Sequence, residues 1–275
     1  MVKWLIDNGV LISAVDWKKD NALHLAVTKN FVDIAKTLIE ASIDINSINS
    51  VYGTALATAA AFNSIACVRL LLEHHADMNK VLISPLHRAA SGGHLEMVKL
   101  LTFYGHANIN AETESKETPV MWAAASGHLD VVKFLIASRC NLQVEFPRWT
   151  VVHFAACNGY TDVVKYLLVE VGFYVDTWNG QPQWSPLHYA AMFGHLESAR
   201  LLIKEGRANL NVQNGYGYTP LHLGSKFGRF EVVNLLLQCG ADTSIKSKTD
   251  GLAVDLARQA GHHAIVAILL NASSR

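Results

Sequence analysis

One tetrapeptide recurs along this chain at spacings that leave few folds open to it. It reads Asn21-Ala-Leu-His24, Thr54-Ala-Leu-Ala57, Ser84-Pro-Leu-His87 and Thr118-Pro-Val-Met121, then Thr150-Val-Val-His153, Ser185-Pro-Leu-His188 and Thr219-Pro-Leu-His222, with a degraded copy from Gly251. Successive starts are separated by 33, 30, 34, 32, 35, 34 and 32 residues. A period of this length marks stacked supersecondary units. Each is too small to bury its own apolar face, so neighbouring units must supply the core.

Each copy reads as a helix start. The Thr, Ser or Asn accepts a bond from an orphan N–H of the first turn. Proline follows at Pro85, Pro119, Pro186 and Pro220, where a missing N–H costs nothing. A stop comes about nine residues after each cap, at Asn30, Asn63, Gly93, Gly127, Gly159, Gly194, Gly228 and Gly261. These residue types tolerate the left-handed conformation that ends a helix. A second helix follows, as in Leu95–Leu101 or Leu129–Leu135, with apolar residues three and four apart giving one buried stripe. Its stop is Gly9, Gly105, Gly172, Gly206 or Gly240, with Ser42, His75 and Arg139 in the other repeats. Positive φ at those three residues implies strain of about 1 kcal/mol each.

The Thr-Pro-Leu-His tetrapeptide, the Gly-His-Leu-Glu turn at Gly93–Glu96 and the Gly-Ala-Asp step at Gly240–Asp242 resemble the ankyrin-repeat family. The likeness covers residues 1–271. It implies an all-α repeat solenoid of helix-turn-helix units with β-hairpin fingers, about eight repeats counting partial terminal ones, stacked into a curved array. The expected partition is a single domain over 1–275. A partial N-terminal repeat (1–16) precedes repeats at 17–49, 50–80, 81–113, 114–146, 147–180, 181–214 and 215–247, and a C-terminal cap repeat closes it (248–275). Residues 1–9 match a second helix without a first, which reads as a fragment of a longer protein, with a possible neighbouring domain, or as an abbreviated cap. Ile265–Leu270 is apolar nearly all round, as if something covers it.

Composition narrows the function. The 275 residues are 51% hydrophobic and 17% charged, which excludes disorder. With 23 basic and 23 acidic residues and no basic stripe, nothing points to nucleic acid. Residues 45–68 carry no charge, yet Asn46, Asn49, Ser50, Gly53 and Asn63 interrupt them in register with the repeat, so a solenoid unit is the better reading than a membrane span. The N-terminus lacks the basic region and cleavage site of a signal peptide. Cys67, Cys140, Cys157 and Cys239 lie far apart and form no CxxC pair, which fits a reducing compartment or inert buried thiols better than a disulfide framework or zinc site. The expected location is the cytoplasm, with nucleus or host-cell cytosol left open.

Catalytic chemistry finds no foothold in the motifs. GxSxG, HExxH and a phosphate loop ending in Gly-Lys-Ser/Thr are all missing. Of 13 histidines, His24, His87, His153, His188 and His222 belong to the tetrapeptide, and the resemblance implies that they bond to finger backbone. His94, His128, His195, His262 and His263 lie at the inter-helix turn. The expectation is therefore no catalytic residue, no metal and no cofactor. Any hidden enzyme site is sought around His106, Glu112 and Glu114, or Cys140 and Glu145. The resemblance also places Asn46, Asn79, Asn110 and Asn211 at a finger position that is hydroxylated in some ankyrin proteins.

Function is then sought where repeats differ. Trp149, Trp184 and Tyr218 stand just before three consecutive caps, and Phe146, Trp178 and Tyr216 share their fingers. Earlier fingers carry Trp17 and Tyr52. Aromatics bury large area at little entropic cost and are enriched at binding hot spots. They also pack finger against finger in a purely structural way. Arg148, Gln181, Gln183 and Gln213 are candidate rim hydrogen-bonders. Fingers also differ in length, one shortened at Asn79–Ile83 and one enlarged across Val171–Val175 and Trp178–Gln183. The leading reading is a protein-interaction scaffold or adaptor that binds a protein or peptide on the concave face. Its rival is an enzyme or effector whose repeats host an unrecognised site or recruit substrate for another domain.

Overall fold

A computed structural model describes residues 1–81, 83–142, 149–177 and 183–273. After α1 (Val2–Asp7) the helices come in packed pairs: α2 (Ala22–Thr28) with α3 (Val32–Glu40), α4 (Ala55–Ala61) with α5 (Ile65–Glu73), and α6 (Pro85–Ser91) with α7 (Leu95–Phe103), after which α8 (Pro119–Ala125) and α9 (Leu129–Ala137) follow in the chain. The next are α10 (Val151–Asn158) with α11 (Thr161–Lys165), which runs on as a π-helical segment (Tyr166–Glu170), and α12 (Pro186–Phe193) with α13 (Leu196–Lys204). Last come α14 (Pro220–Lys226) with α15 (Phe230–Gln238) and α16 (Ala253–Gln259) with α17 (His263–Ser273). The chain is an all-α repeat solenoid. No helix among the described residues is long and apolar enough to cross a membrane.

First helices of seven or eight residues are too short to persist alone, since isolated helices below about 12–15 residues are marginal in water. Packing holds them. The chain forms two compact units, Met1–Ala123 with Asp130–Cys140, and Ala124–Leu129 with Asn141–Arg275. In the first, α2 packs on α4, α4 on α6 and α3 on α5; in the second, α10, α12, α14 and α16 stack in turn, as do α11, α13, α15 and α17. The tetrapeptide's third residue is sealed in both, at Leu23, Leu56 and Leu86 and at Val152, Leu187 and Leu221. Each such burial contributes roughly 1.5–3 kcal/mol. Five residues after the cap stands Ala59, Ala89, Ala155, Ala190 or Ala257, small enough for neighbouring helices to approach closely.

The caps behave as the tetrapeptide predicts at Asn21, Thr54, Ser185 and Thr219, whereas the Ser84 hydroxyl pairs with His87 Nδ1 instead and the buried Thr118 hydroxyl has no partner. The Asn21 amide oxygen accepts from the Leu23 and His24 N–H groups at 3.1 Å each, and the Thr54 hydroxyl from Ala57 at 3.3 Å. The last copy is a correction: its cap is Leu252, not Gly251. A Leu side chain cannot accept, so the Asp255 carboxylate, three residues on, takes the Leu252 N–H at 3.0 Å instead. The fingers are tight turns more than paired strands. Among the described residues they show two isolated antiparallel bridges, Ile48 with Thr54 and Lys246 with Leu252. A side chain five residues before the cap closes the turn too quickly for a longer ladder. Asn49 Oδ1 accepts from Val51, Tyr52 and Gly53 at 2.8–3.1 Å, and Asn214 Oδ1 from Tyr216 and Tyr218 at 3.0 Å.

All eight first-helix stops have positive φ, as do Ser42, His75 and Arg139. Gly105 and Gly206 do not fill the role assigned to them; the left-handed residues are His106 (φ 51°) and Arg207 (φ 54°). One inserted residue is the cause. Ala241 bonds back five residues to Leu236, whereas Ala107 and Ala208 reach back six, to Leu101 and Leu202. A side chain at Gly105 would put its Cβ 2.9 Å from the Leu101 carbonyl oxygen, which explains glycine there on other grounds. The repeat of α11 carries the same insertion, with Phe173 bonded to Leu167, and absorbs it as the π-helical segment, where Val171 N–H donates to the Tyr166 carbonyl at 3.1 Å.

Candidate functional site

The second unit gathers aromatic side chains from fingers and first helices alike. Trp149 precedes the α10 cap, Tyr189 is the fourth residue past the α12 cap, and Trp184 precedes that cap. Their rings form a continuous tier: Trp149 to Tyr189 is 4.5 Å and Tyr189 to Trp184 is 5.1 Å, both tilted. Phe154, at the α10 position matching Tyr189, lies 5.0 Å from Trp149. All three residues of the tier are half-buried. Centroid spacings of this kind add about 0.5–1.5 kcal/mol per pair beyond area burial, which makes the tier stiff.

Tetrapeptide histidines fix the backbone beneath it. His153 Nε2 donates to the Trp184 carbonyl at 3.0 Å and His188 Nε2 to the Tyr218 carbonyl at 2.9 Å. On the other ring nitrogen, Nδ1 accepts the cap N–H of Thr150 at 3.1 Å and of Ser185 at 3.0 Å. A carbonyl on one side and an N–H on the other dictate the neutral tautomer with the proton on Nε2. Burial pushes His153 down to about 4, with the Trp184 carbonyl pulling the other way, and pushes His188 down to about 3. His24, His87 and His222 make the matching bonds to Gly53, Glu117 and Gly251, and burial lowers them too.

The other expected site residues divide. Tyr218 has its hydroxyl on Asp250 and the Lys226 ammonium 5.2 Å from its ring, while Tyr216 is exposed and 6.3 Å from Tyr218. Phe146, Trp178, Arg148, Gln181 and Glu145 lie outside the described residues. Gln213 is spent on structure, donating to the Gly217 carbonyl at 2.8 Å and the Lys246 carbonyl at 3.1 Å. Gln183 has φ 62°.

Trp17 and Tyr52 belong to the first unit. Trp17 is 85% exposed with the Lys18 ammonium 4.8 Å from its ring. Tyr52 joins a cluster that the pre-cap position alone did not reveal. Phe62 packs edge-on at 5.2 Å, and the Arg88 guanidinium lies 5.2 Å from the Tyr52 ring and 5.9 Å from Trp122. The overlooked signal is the residue four past each cap, which is Arg88, Trp122, Phe154 and Tyr189 in four consecutive repeats.

Catalytic candidates fare differently. Glu112 pairs with Lys116 at 3.0 Å, and His106 is a helix stop. Burial pushes the Cys67 and Cys140 thiols up to about 11, away from the nucleophilic thiolate. Among the described residues no group of three or more His, Cys, Asp or Glu side chains is placed to hold a metal ion.

Family models match most of the repeat array. The model described as ankyrin repeats (3 copies) matches residues 47–113, 86–178 and 152–247, and that described as ankyrin repeat matches 18–50. The chain belongs to the ankyrin-repeat family. Among ankyrin-repeat relatives, the mouse B-cell lymphoma 3 protein homolog is 34% identical over 123 residues, 42% of this chain and 27% of its own length. The fowlpox virus ankyrin repeat protein FPV031 is 30% identical over 128 residues, 44% of this chain and 37% of its own. The chain thus spans between about a quarter and two fifths of these curated relatives. The crystal structure of the human ASB11 ankyrin repeat domain superposes with a TM-score of 0.70 at 30% identity, covering 81% of this chain and 99% of that one. Ankyrin repeats are in general protein-interaction modules, and the fold is typically a non-catalytic scaffold.

Proposed function

We propose that this chain is a binding scaffold or adaptor, without catalytic activity of its own, that holds a protein partner on the fingers and inner helices of its second unit. The Trp149–Tyr189–Trp184 tier carries the contact, with Tyr216 and Tyr218 and the finger residues Phe146 and Trp178 completing it. The observation that supports this reading is the tier itself: three half-buried aromatic residues joined through Tyr189, with the Trp184 carbonyl bonded to buried His153. A rigid apolar surface with satisfied backbone binds with little ordering cost. Four free cysteines fit a reducing setting such as the cytoplasm.

The test is a quantitative pull-down from cells of the source, comparing the intact chain with Trp149→Ala/Tyr189→Ala/Trp184→Ala after circular dichroism shows both folded. A partner lost only by the triple variant supports the tier as the site. A partner held equally by both removes it.

A further inference from the structure

We propose that Arg88, held between the rings of Tyr52 and Trp122, receives the carboxylate of an acidic residue in an extended peptide segment of a protein partner. This rests on the reading of the chain as a binding module but uses a different surface, in the first unit. Three observations converge on it.

The first is a charge without a counter-charge. Arg88 Nη2 donates to the Val51 carbonyl at 3.0 Å, Nε is buried with no hydrogen-bond partner, and among the described residues Arg88 makes no ion pair. Burial lowers the basicity of its guanidinium, and only Tyr52 opposes that. A partly desolvated cation gains most from a carboxylate on its open edge, which matches the planar guanidinium fork.

The second is room. A hollow of about 210 Å³ is lined by Tyr52, Val81, Ile83 and Arg88, and another of about 250 Å³ by Ile83, Thr113, Glu117 and Trp122. Both border Ile83, on the finger that is three residues short. Each hollow suits one side chain, and side chains in consecutive hollows are what an extended peptide presents.

The third is selectivity. Glu117 accepts from the Trp122 indole N–H at 2.8 Å, and Glu112 and Glu114 share its finger. Those carboxylates repel any incoming anion, a phosphate dianion about twice as strongly as a single carboxylate, so the open edge of Arg88 favours the singly charged group.

The experiment is a random-peptide display selection on the whole chain, followed by affinity titration of enriched peptides synthesised with Glu, or with Gln in its place. The expected result is an acidic residue fixed at one position, about tenfold weaker binding for the Gln peptide, and loss of that Glu/Gln difference in Arg88→Met. Arg88→Lys, which keeps the charge and so the surroundings, should retain part of the difference. The proposal is overturned by enriched peptides with no fixed acidic residue, by a Glu/Gln difference that persists in Arg88→Met, or by no enrichment at all. Peptides that bind but respond only to Trp149→Ala and Trp184→Ala would remove the Arg88 site while leaving the aromatic tier as the binding surface.

Discussion

The two units use one position of the repeat, four residues past the cap, for opposite chemistry. In the second it is Tyr189, which closes a ring tier with Trp149 and Trp184; in the first it is Arg88, which places a charge between Tyr52 and Trp122. The histidines beneath differ repeat by repeat. His153 has Trp149 at 6.0 Å and Tyr189 at 6.3 Å over it, and His188 has Trp184 at 6.1 Å. His24, by contrast, is followed by a Leu25 that is 53% exposed. An aromatic roof over the tetrapeptide histidine is thus found in both units, His87 of the first having Trp122 at 5.4 Å, and what sets the second apart is that its rings join into one tier.

Removing an insulated histidine should have the largest effect. His188→Ala deletes the bond to the Tyr218 carbonyl and leaves the Ser185 N–H unpaired in a buried site, a loss of about 3 kcal/mol. Urea denaturation followed by Trp fluorescence, whose indoles lie in both units, should then split into two transitions. A single transition at the wild-type midpoint would break the comparison.

Acid should reproduce much of this without mutation. The folded pKa of His153 is about 4 and its unfolded value near 6.5, so between those limits the unfolded chain binds the proton more readily. The stabilisation is therefore complete above pH 6.5 and disappears as pH falls towards 4, on the order of 3 kcal/mol for this group. His188, held near 3, extends the same loss further down. Melting temperatures between pH 7 and 4 should fall steadily, and His153→Gln should flatten the slope. A midpoint unchanged by pH would show that these histidines are not insulated.

Stripping the roof separates insulation from hydrogen bonding. Trp184→Ala leaves the carbonyl at 184 for His153 but uncovers His188, whose titration should move up towards 6.5, readable by NMR of the ring protons. The stability cost should be about 1–2 kcal/mol for a half-buried ring with two ring neighbours. An unmoved His188 would mean that the helices, and not the tier, supply its burial.

How much of this the sequence discloses follows from what a repeat makes visible. Caps, prolines and stops recur in register, so the pairs and their buried leucines are legible, as is the pre-cap run of Trp149, Trp184 and Tyr218. Tyr189 and Arg88 are harder to see because their position tolerates any side chain, Leu25 and Thr58 included, and only spatial neighbours tell which matter. Trp184 and Tyr189 meet although they are five residues apart, which a search confined to fingers does not find. An interval of 35 residues reports an insertion but not its place, since a Gly-His step and a π-helical turn lengthen the chain equally.

The smallest effects concern those stops, where residue type and backbone disagree. Ser42, His75 and Arg139 sit at φ 65°, 58° and 60°, in the slot that Gly240 fills at 88°. Replacing each by Gly should relieve strain of about 1 kcal/mol, less part of that for the greater freedom of glycine in the unfolded chain. Melting temperature should rise by a degree or two in each single variant and add up in the triple, the sites being in separate repeats. Gly105→Ala is the opposite case, because its backbone is not left-handed yet its Cβ would meet Met78 Cε at 2.7 Å and the Leu101 carbonyl at 2.9 Å. It should destabilise although Ala is the better helix former. If Gly105→Ala is neutral while Arg139→Gly stabilises, strain lies in φ alone. If both destabilise, the left-handed residues are held by contacts worth more than their strain, and the insertion after α7 is a packed feature instead of a tolerated one.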